Sequence, residues 1–108
     1  MSQRDIRIDV TEHEKKNAKI RMDLRVENNS QFVRGKTKVK EIAKQYLKLN
    51  YNLKRSTQDE YIFYVPYTTI NGLIEEVYSI MQKIGDEADM RNCFIEADAA
   101  CDELGLFW

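Results

Sequence analysis

The fold is decided by an alternating stretch close to the N-terminus, AKIRMDLRV at residues 18–26. Apolar side chains occupy every second position of this stretch, and charged side chains fill the positions between them. A period of two is expected of a half-buried β-strand, whose successive side chains point to opposite faces. One face of the predicted sheet is therefore apolar and the other carries mixed charge, which is typical of an antiparallel sheet covered on one side.

Further strands are predicted on both sides of this stretch. Residues 6–10 alternate in the same way, and the polar residues 12–17 are short enough to close a hairpin. A second hairpin is expected from the alternation in residues 49–53, a turn at 56–59 and a strand from Glu60 to Val65. We expect the only proline, Pro66, to end that strand because proline cannot donate to a ladder.

Two helices are predicted from apolar residues that recur at spacings of three and four. The first runs to about Asn50 after a cap at Asn29 or Ser30, and the second follows a cap at Thr68 or Thr69. Their apolar stripes are Val39, Ile42, Ala43, Tyr46 and Leu47 in the first helix, and Ile70, Leu73, Ile74, Val77, Ile80, Met81, Ile84 and Ala88 in the second.

The last predicted element is a strand from Asn92 to about Ala99. The order is then ββαββαβ, an α+β fold with an antiparallel sheet and two helices on one face. Without its first strand this is the β-α-β-β-α-β order of ferredoxin-like folds, so we expect a ferredoxin-like domain with an extra N-terminal strand. Residues 1–108 are expected to form one domain, because no linker or repeat interrupts them.

Composition excludes several classes of protein. Hydrophobic residues make up 43% of the 108 residues and charged residues 32%, which argues against disorder. No apolar run approaches the about 18 residues of a membrane span, and the charged N-terminus is unlike a signal peptide. We therefore expect a cytoplasmic protein in which Cys93 and Cys101 stay reduced. We expect no cofactor, and a zinc site lacks ligands, since His13 is the only histidine and the two cysteines form no Cys-x-x-Cys pair.

Charge is divided unevenly along the chain. Residues 1–55 hold 15 basic and 7 acidic side chains, whereas residues 56–108 hold 2 basic and 11 acidic ones. Such asymmetry favours an anionic partner. The alternative is that the two halves lie next to each other in the fold and neutralise one another.

Residues 30–37, SQFVRGKT, are close to the phosphate-binding pattern G-x-x-x-x-G-K-[ST]. The first glycine is replaced by Ser30, and the strand before it alternates instead of being continuously apolar. Nucleotide hydrolysis is therefore not expected, although a helix N-terminus with basic residues still attracts anions.

Basic residues accumulate at and after this segment. Lysines that stand four apart on a helix repel one another by about 0.2–0.5 kcal/mol per pair. Either a phosphate-bearing partner or the acids of the second helix (Glu75, Glu76, Asp86 and Glu87) would offset this repulsion. The predicted binding residues for nucleic acid or another polyanion are Arg34, Lys36, Lys38, Lys40, Lys44, Lys48, Lys54 and Arg55.

Tyrosines near the basic segment could add base stacking, but Tyr61 and Phe63 are expected to face the helices. Glu96 and Asp98 share one strand face and could hold Mg²⁺, although a solvated face explains the pair equally well. No acid–base or nucleophile constellation can be assembled, so we predict a binding module and not an enzyme.

An alternative to polyanion binding is a protein-interaction or self-assembly module that pairs basic and acidic surfaces. The apolar tail, residues 104–108, could anchor a protein partner. We expect instead that it folds back over the sheet edge.

Overall fold

The computed structural model describes residues 16–28, 35–57 and 59–108. Within these residues the chain forms five strands and two helices: β1 (Lys16–Asn28), α1 (Lys36–Asn50), β2 (Arg55–Ser56), β3 (Glu60–Tyr67), α2 (Ile70–Met90), β4 (Cys93–Cys101) and β5 (Leu106–Phe107). A short 3-10 turn, Asp102–Leu104, separates β4 from β5. No helix among them is long and apolar enough to cross a bilayer.

β1 is the central strand of the sheet, whose order is β2-β3-β1-β4-β5 and whose pairs are all antiparallel. The alternation that predicted β1 is confirmed, because its even-numbered apolar residues from Ala18 to Val26 are all buried. Phe63 on β3 lies opposite Ile20, and both side chains are fully buried. The charged residues at odd-numbered positions of β1, from Lys19 to Glu27, lie on the other, open face of the sheet.

Both helices cover the apolar face of the sheet. Thr69 caps α2 as predicted, since its hydroxyl accepts a hydrogen bond from the Gly72 amide at 3.0 Å. Most residues of the two apolar stripes form one core with the sheet, which contains Tyr61 as expected. Ile70 of the predicted α2 stripe is 42% exposed and lies outside this core. Its fully buried helix residues are Val39, Ala43 and Leu47 in α1 and Leu73, Val77 and Ile80 in α2.

The strand predicted over residues 49–53 is wrong. Helical bonding continues to the end of α1, where the Tyr51 amide donates to the Leu47 carbonyl at 2.9 Å. Leu49 is 79% exposed, so it shares no apolar face with Tyr51 and Leu53. The strand that precedes β3 is only β2, and the Thr57 amide after it donates to the Glu60 carbonyl at 2.8 Å.

Pro66 does not end β3, which continues to Tyr67. The Ile62 carbonyl accepts from the Lys54 amide, so the even-numbered residues of β3 direct their backbone groups toward β2. β2 is too short to reach Pro66. The missing N–H therefore faces an edge at which no described strand would need it.

The tail folds back over the sheet edge, as expected. Gly105 adopts a φ of 66°, in the left-handed region that favours glycine, and turns the chain into β5. The Trp108 amide donates to the Ala99 carbonyl at 2.8 Å. The Trp108 indole donates to the Ile74 carbonyl at 3.1 Å.

The α+β class with an antiparallel sheet and two helices is confirmed. The order of the five strands differs from that of a ferredoxin-like sheet because β5 lies beyond β4, so the ferredoxin-like assignment is not confirmed. The predicted extra strand, residues 6–10, lies outside the described residues.

Candidate anion-binding surface

Four lysines follow one border of α1, and we call Lys36, Lys40, Lys44 and Lys48 the lysine row. Residues four apart on a helix lie one above the other, so α1 places these side chains along one line. Each of the last three directly follows a buried residue of the apolar stripe. The row therefore runs beside the seam where α1 meets the sheet.

An open groove of about 450 Å³ lies between α1 and the β2–β3 hairpin. The first three members of the lysine row line it on the helix side, together with the hydroxyl of Thr37. Ser56 and Thr57 contribute two more hydroxyls from the hairpin side, and Glu41 contributes a carboxylate. Ammonium and hydroxyl donors thus outnumber carboxylates in the groove.

Lys40 already has a partner inside the molecule. Its ammonium group donates to the Asp59 carboxylate at 2.6 Å, and only 18% of the lysine side chain is exposed. The pKa of Asp59 lies below its ordinary value because Lys40 donates this hydrogen bond; the charges of Lys40, Arg25 and Lys36 add to that effect. Lys40 is therefore a member of the row whose charge is already matched by a carboxylate of the same molecule.

The other three members of the row are exposed. In the part of the chain that the structure describes, no carboxylate lies within 4.0 Å of the ammonium groups of Lys36, Lys44 and Lys48. The acids of α2 have other partners: Glu76 accepts from the Tyr51 hydroxyl, Glu87 pairs with Arg91 and Asp86 accepts from Gln82. Of the two ways of offsetting the row, the one that relies on the acids of α2 is not observed among the described residues, since these acids form no ion pair with it.

The remaining predicted binding residues are dispersed. Lys38 lies on the opposite border of α1, in a second groove that also contains Lys83. Arg55 pairs with Ile62, which places its side chain on the open face of the sheet. Lys54 is exposed just before β2, and Arg34 lies outside the described residues.

The start of α1 is built for packing. Its N-cap is Gly35, and the next amide, that of Lys36, donates to the Asn28 side chain at 3.0 Å. A Cβ atom on Gly35 would lie 2.8 Å from the Arg91 Cβ and 2.9 Å from the Cys93 sulfur. This close approach explains the glycine without a phosphate. The caps predicted at Asn29 and Ser30 lie outside the described residues.

Glu96 and Asp98 share the open face of the sheet, as predicted from their spacing. Glu96 pairs with Arg25 at 3.5 Å, and both side chains are largely exposed. Asp98 lies opposite Asp23. Across residues 16–28, 35–57 and 59–108, no group of three histidine, cysteine or acidic side chains has the geometry of a metal site.

Sequence reasoning missed Asp59 and the groove hydroxyls as members of this surface. The hairpin turn that carries Asp59 was predicted, but no local signal shows that it contacts α1. The chain matches no protein-family model, and it shows no significant similarity to a curated protein or to a solved structure. Function is therefore inferred from the residues alone.

Proposed function

We propose that this protein is a small binding module that holds a polyanion on the lysine row and its groove, with nucleic acid as the first candidate. The observation that carries the proposal is the exposure of Lys36, Lys44 and Lys48. No carboxylate among the described residues lies within 4.0 Å of their ammonium groups.

The charges of the row work against α1 when no ligand is present. Each lysine pair four residues apart costs about 0.2–0.5 kcal/mol, and no acidic residue occupies the first turn to complement the helix dipole. A bound polyanion would offset both effects. Lys40, held by Asp59, would fix the hairpin against the helix and so shape the groove.

The spacing of the row suits a phosphate backbone. Four residues of helix rise about 6 Å, so the row spans about 18 Å from its first to its last lysine. Phosphates of one DNA strand advance about 3.4 Å along the duplex axis per nucleotide, so the row is as long as the axial rise of about five nucleotides. The hydroxyls of Thr37, Ser56 and Thr57 are further donors of the kind that bind phosphate oxygens.

This proposal concerns backbone binding and not base stacking. Tyr61 and Phe63 are buried and cannot serve as a stacking platform. Apart from β5, the described elements follow the order β-α-β-β-α-β, which supports a ferredoxin-like fold for residues 16–101. In this protein the helix side of the fold would bind the ligand.

Fluorescence anisotropy with labelled duplex and single-stranded oligonucleotides, at low and at moderate salt, tests the proposal. The variant Lys44→Gln/Lys48→Gln should bind at least tenfold more weakly than the wild type. Lys16→Gln/Lys19→Gln removes the same charge from exposed positions of β1 that do not line the groove, and should bind within about threefold of the wild type. Equal weakening by both variants, or no wild-type binding at low salt, would refute it.

A protein-interaction or self-assembly module is the alternative, in which the lysine row meets an acidic surface. α2 exposes Glu75, Asp86 and Asp89, so a second copy could supply such a surface. Sedimentation at low ionic strength separates the two proposals. A dimer that dissociates with added salt and with Lys44→Gln/Lys48→Gln supports self-assembly, and a monomer at low salt excludes it.

A further inference from the structure

The outer edge of β4 is largely unpaired in the part of the chain that the structure describes. β1 covers one side of β4 from Cys93 to Ala100, whereas β5 and Trp108 cover the other side only from Ala99 onward. Ala99 directs its backbone groups outward to Trp108. Because the direction of backbone groups alternates along a strand, Ile95 and Ala97 point theirs toward the same edge. Such an edge is a template for an added strand.

A groove of about 450 Å³ runs between this edge and α2. Tyr78, Met81 and Gly85 line it from the helix, and Ile95 and Ala97 line it from the strand. The two strand residues are only half-buried. Gln82 and Asp89 add polar groups to the lining. The unpaired edge therefore has a trough beside it, on the helix side of the sheet, that is apolar along the strand and partly polar along α2.

We propose that this edge and trough accept an extended peptide as an additional antiparallel strand, with aliphatic side chains in the trough and basic side chains on the open face. The proposal is independent of the lysine row. In such a pairing, the peptide residues opposite Ile95 and Ala97 share the face of the trough. The residue between them, opposite Glu96, shares the open face with that carboxylate.

The chain itself occupies the first part of this edge in the same way. β5 and Trp108 pair with β4 as an antiparallel strand, and the Trp108 indole donates to the Ile74 carbonyl of α2. A strand that continued this line would pass Ala97 and then Ile95. Bonding to the β4 edge on one side and to α2 on the other is thus already present in the fold.

Charge selects a basic peptide as the occupant. Glu96 and Asp98 stand on the open face beside the edge, and Asp89 lies at the trough. Glu96 lies 3.5 Å from Arg25 but is largely exposed, and Asp98 lies opposite Asp23 of β1. Two copies of β4 paired edge to edge would bring these carboxylates together, and like charges opposite each other are unfavourable. A second copy of the chain is therefore not the expected occupant.

Gly85 is a second feature of the trough that packing does not require. It lies inside α2, where glycine disfavours the helix relative to alanine. A Cβ atom at this position would meet only the Ile95 Cδ1, at 3.6 Å, which is an ordinary contact. Its missing side chain leaves the trough open next to Ile95.

The opposite edge of the sheet differs from the β4 edge in the backbone amides that it offers to an incoming strand. On β3, Pro66 directs its backbone toward the outer edge and has no N–H to offer an incoming strand. β4 contains no proline, and its outward amides at Ile95 and Ala97 are intact. Of these two edges, β4 is the one whose outward amides are not interrupted by a proline.

A synthetic peptide of alternating valine and lysine, added to the full chain, tests the proposal by amide hydrogen exchange. At saturation the amides of Ile95 and Ala97 should exchange at least tenfold more slowly. Those of Phe94 and Glu96, which face β1, should change little. A peptide with glutamate in place of lysine, or one N-methylated at the amides facing β4, should give no protection.

Two variants complete the test. Gly85→Leu fills the trough and should weaken peptide binding at least tenfold; its exchange pattern elsewhere checks that it is folded. The variant Glu96→Lys/Asp98→Lys should no longer bind the peptide of valine and lysine and should bind the peptide of valine and glutamate instead. Unchanged exchange at Ile95 and Ala97 with saturating lysine peptide, or equal binding of the N-methylated peptide, would overturn the proposal.

Discussion

Replacing Gly35 by alanine tests how α1 is attached to the rest of the fold. The added Cβ would lie 2.8 Å from the Arg91 Cβ, and 2.9 Å from both the Arg91 carbonyl oxygen and the Cys93 sulfur. Carbon atoms pack best at about 3.5–4.0 Å, so the shortfall at the first contact is about 0.7–1.2 Å. One of the three atoms belongs to the backbone and another to a buried side chain, so neither can move cheaply. Overpacking of this kind costs about 1–3 kcal/mol, and we expect about 2 kcal/mol.

Gly85→Ala is the matched control, because its Cβ meets only an ordinary contact at 3.6 Å. It should stabilise the protein by about 0.5–1 kcal/mol through helix propensity. Urea unfolding followed by circular dichroism measures both variants. With a slope of about 1.5 kcal/mol per molar urea, the midpoint should fall by about 1.3 M for Gly35→Ala and rise by about 0.5 M for Gly85→Ala. A midpoint for Gly35→Ala at or above that of the wild type would refute the packing account.

Three further substitutions test individual contacts. Asp59→Asn removes the carboxylate whose pKa Lys40 lowers. The ionised carboxylate stabilises the fold above the pKa that it has in the unfolded chain, and this stabilisation is lost as the pH falls through its lower pKa in the folded state. The difference in unfolding free energy between wild type and variant should therefore close below about pH 4. A difference that stays constant with pH contradicts this. Burial is the main reason that the pKa of Tyr51 is raised, and its hydrogen bond to the Glu76 carboxylate of α2 is the second. Above about pH 10 the unfolded chain loses the tyrosine proton while the folded state keeps it, so the wild type should become less stable relative to Tyr51→Phe. Parallel pH profiles in urea unfolding would oppose that assignment. Trp108→Phe loses the indole hydrogen bond to α2 and should cost about 1 kcal/mol in the same assay, whereas wild-type stability would show that the bond contributes nothing.

The parts of the fold that sequence predicted correctly are those fixed by local periodicity. The alternation through residues 18–26 identified β1 and its buried face, because a strand's side-chain direction depends only on its own residues. The stripe of α2 and the cap at Thr69 are local in the same sense. The alternation from Cys93 onward likewise identified β4.

The errors arise where a contact distant in sequence decides between local alternatives. Residues 49–53 alternate as a strand would, but α1 continues to Asn50, and Leu47 in its last turn is fully buried in the core. Pro66 is tolerated in β3 because β2 stops before reaching it, which no local pattern reveals.

The candidate site could be predicted from the sequence only in part, for the same reason. The lysine row follows from helical spacing alone. The pairing of Lys40 with Asp59 joins residues 19 positions apart, and the place of Arg55 depends on hairpin register. Periodicity thus located the cations, while tertiary contacts decided which of them share one surface.

The salt dependence of oligonucleotide affinity tests the central claim most directly. If Lys36, Lys44 and Lys48 contact phosphates, a plot of log affinity against log salt should have a slope of about −3 for a duplex. Lys44→Gln/Lys48→Gln should reduce the size of that slope by about 2, and Lys16→Gln/Lys19→Gln should leave it unchanged. A slope near zero in the wild type, or one that only the β1 variant reduces, would contradict a polyanion site on α1.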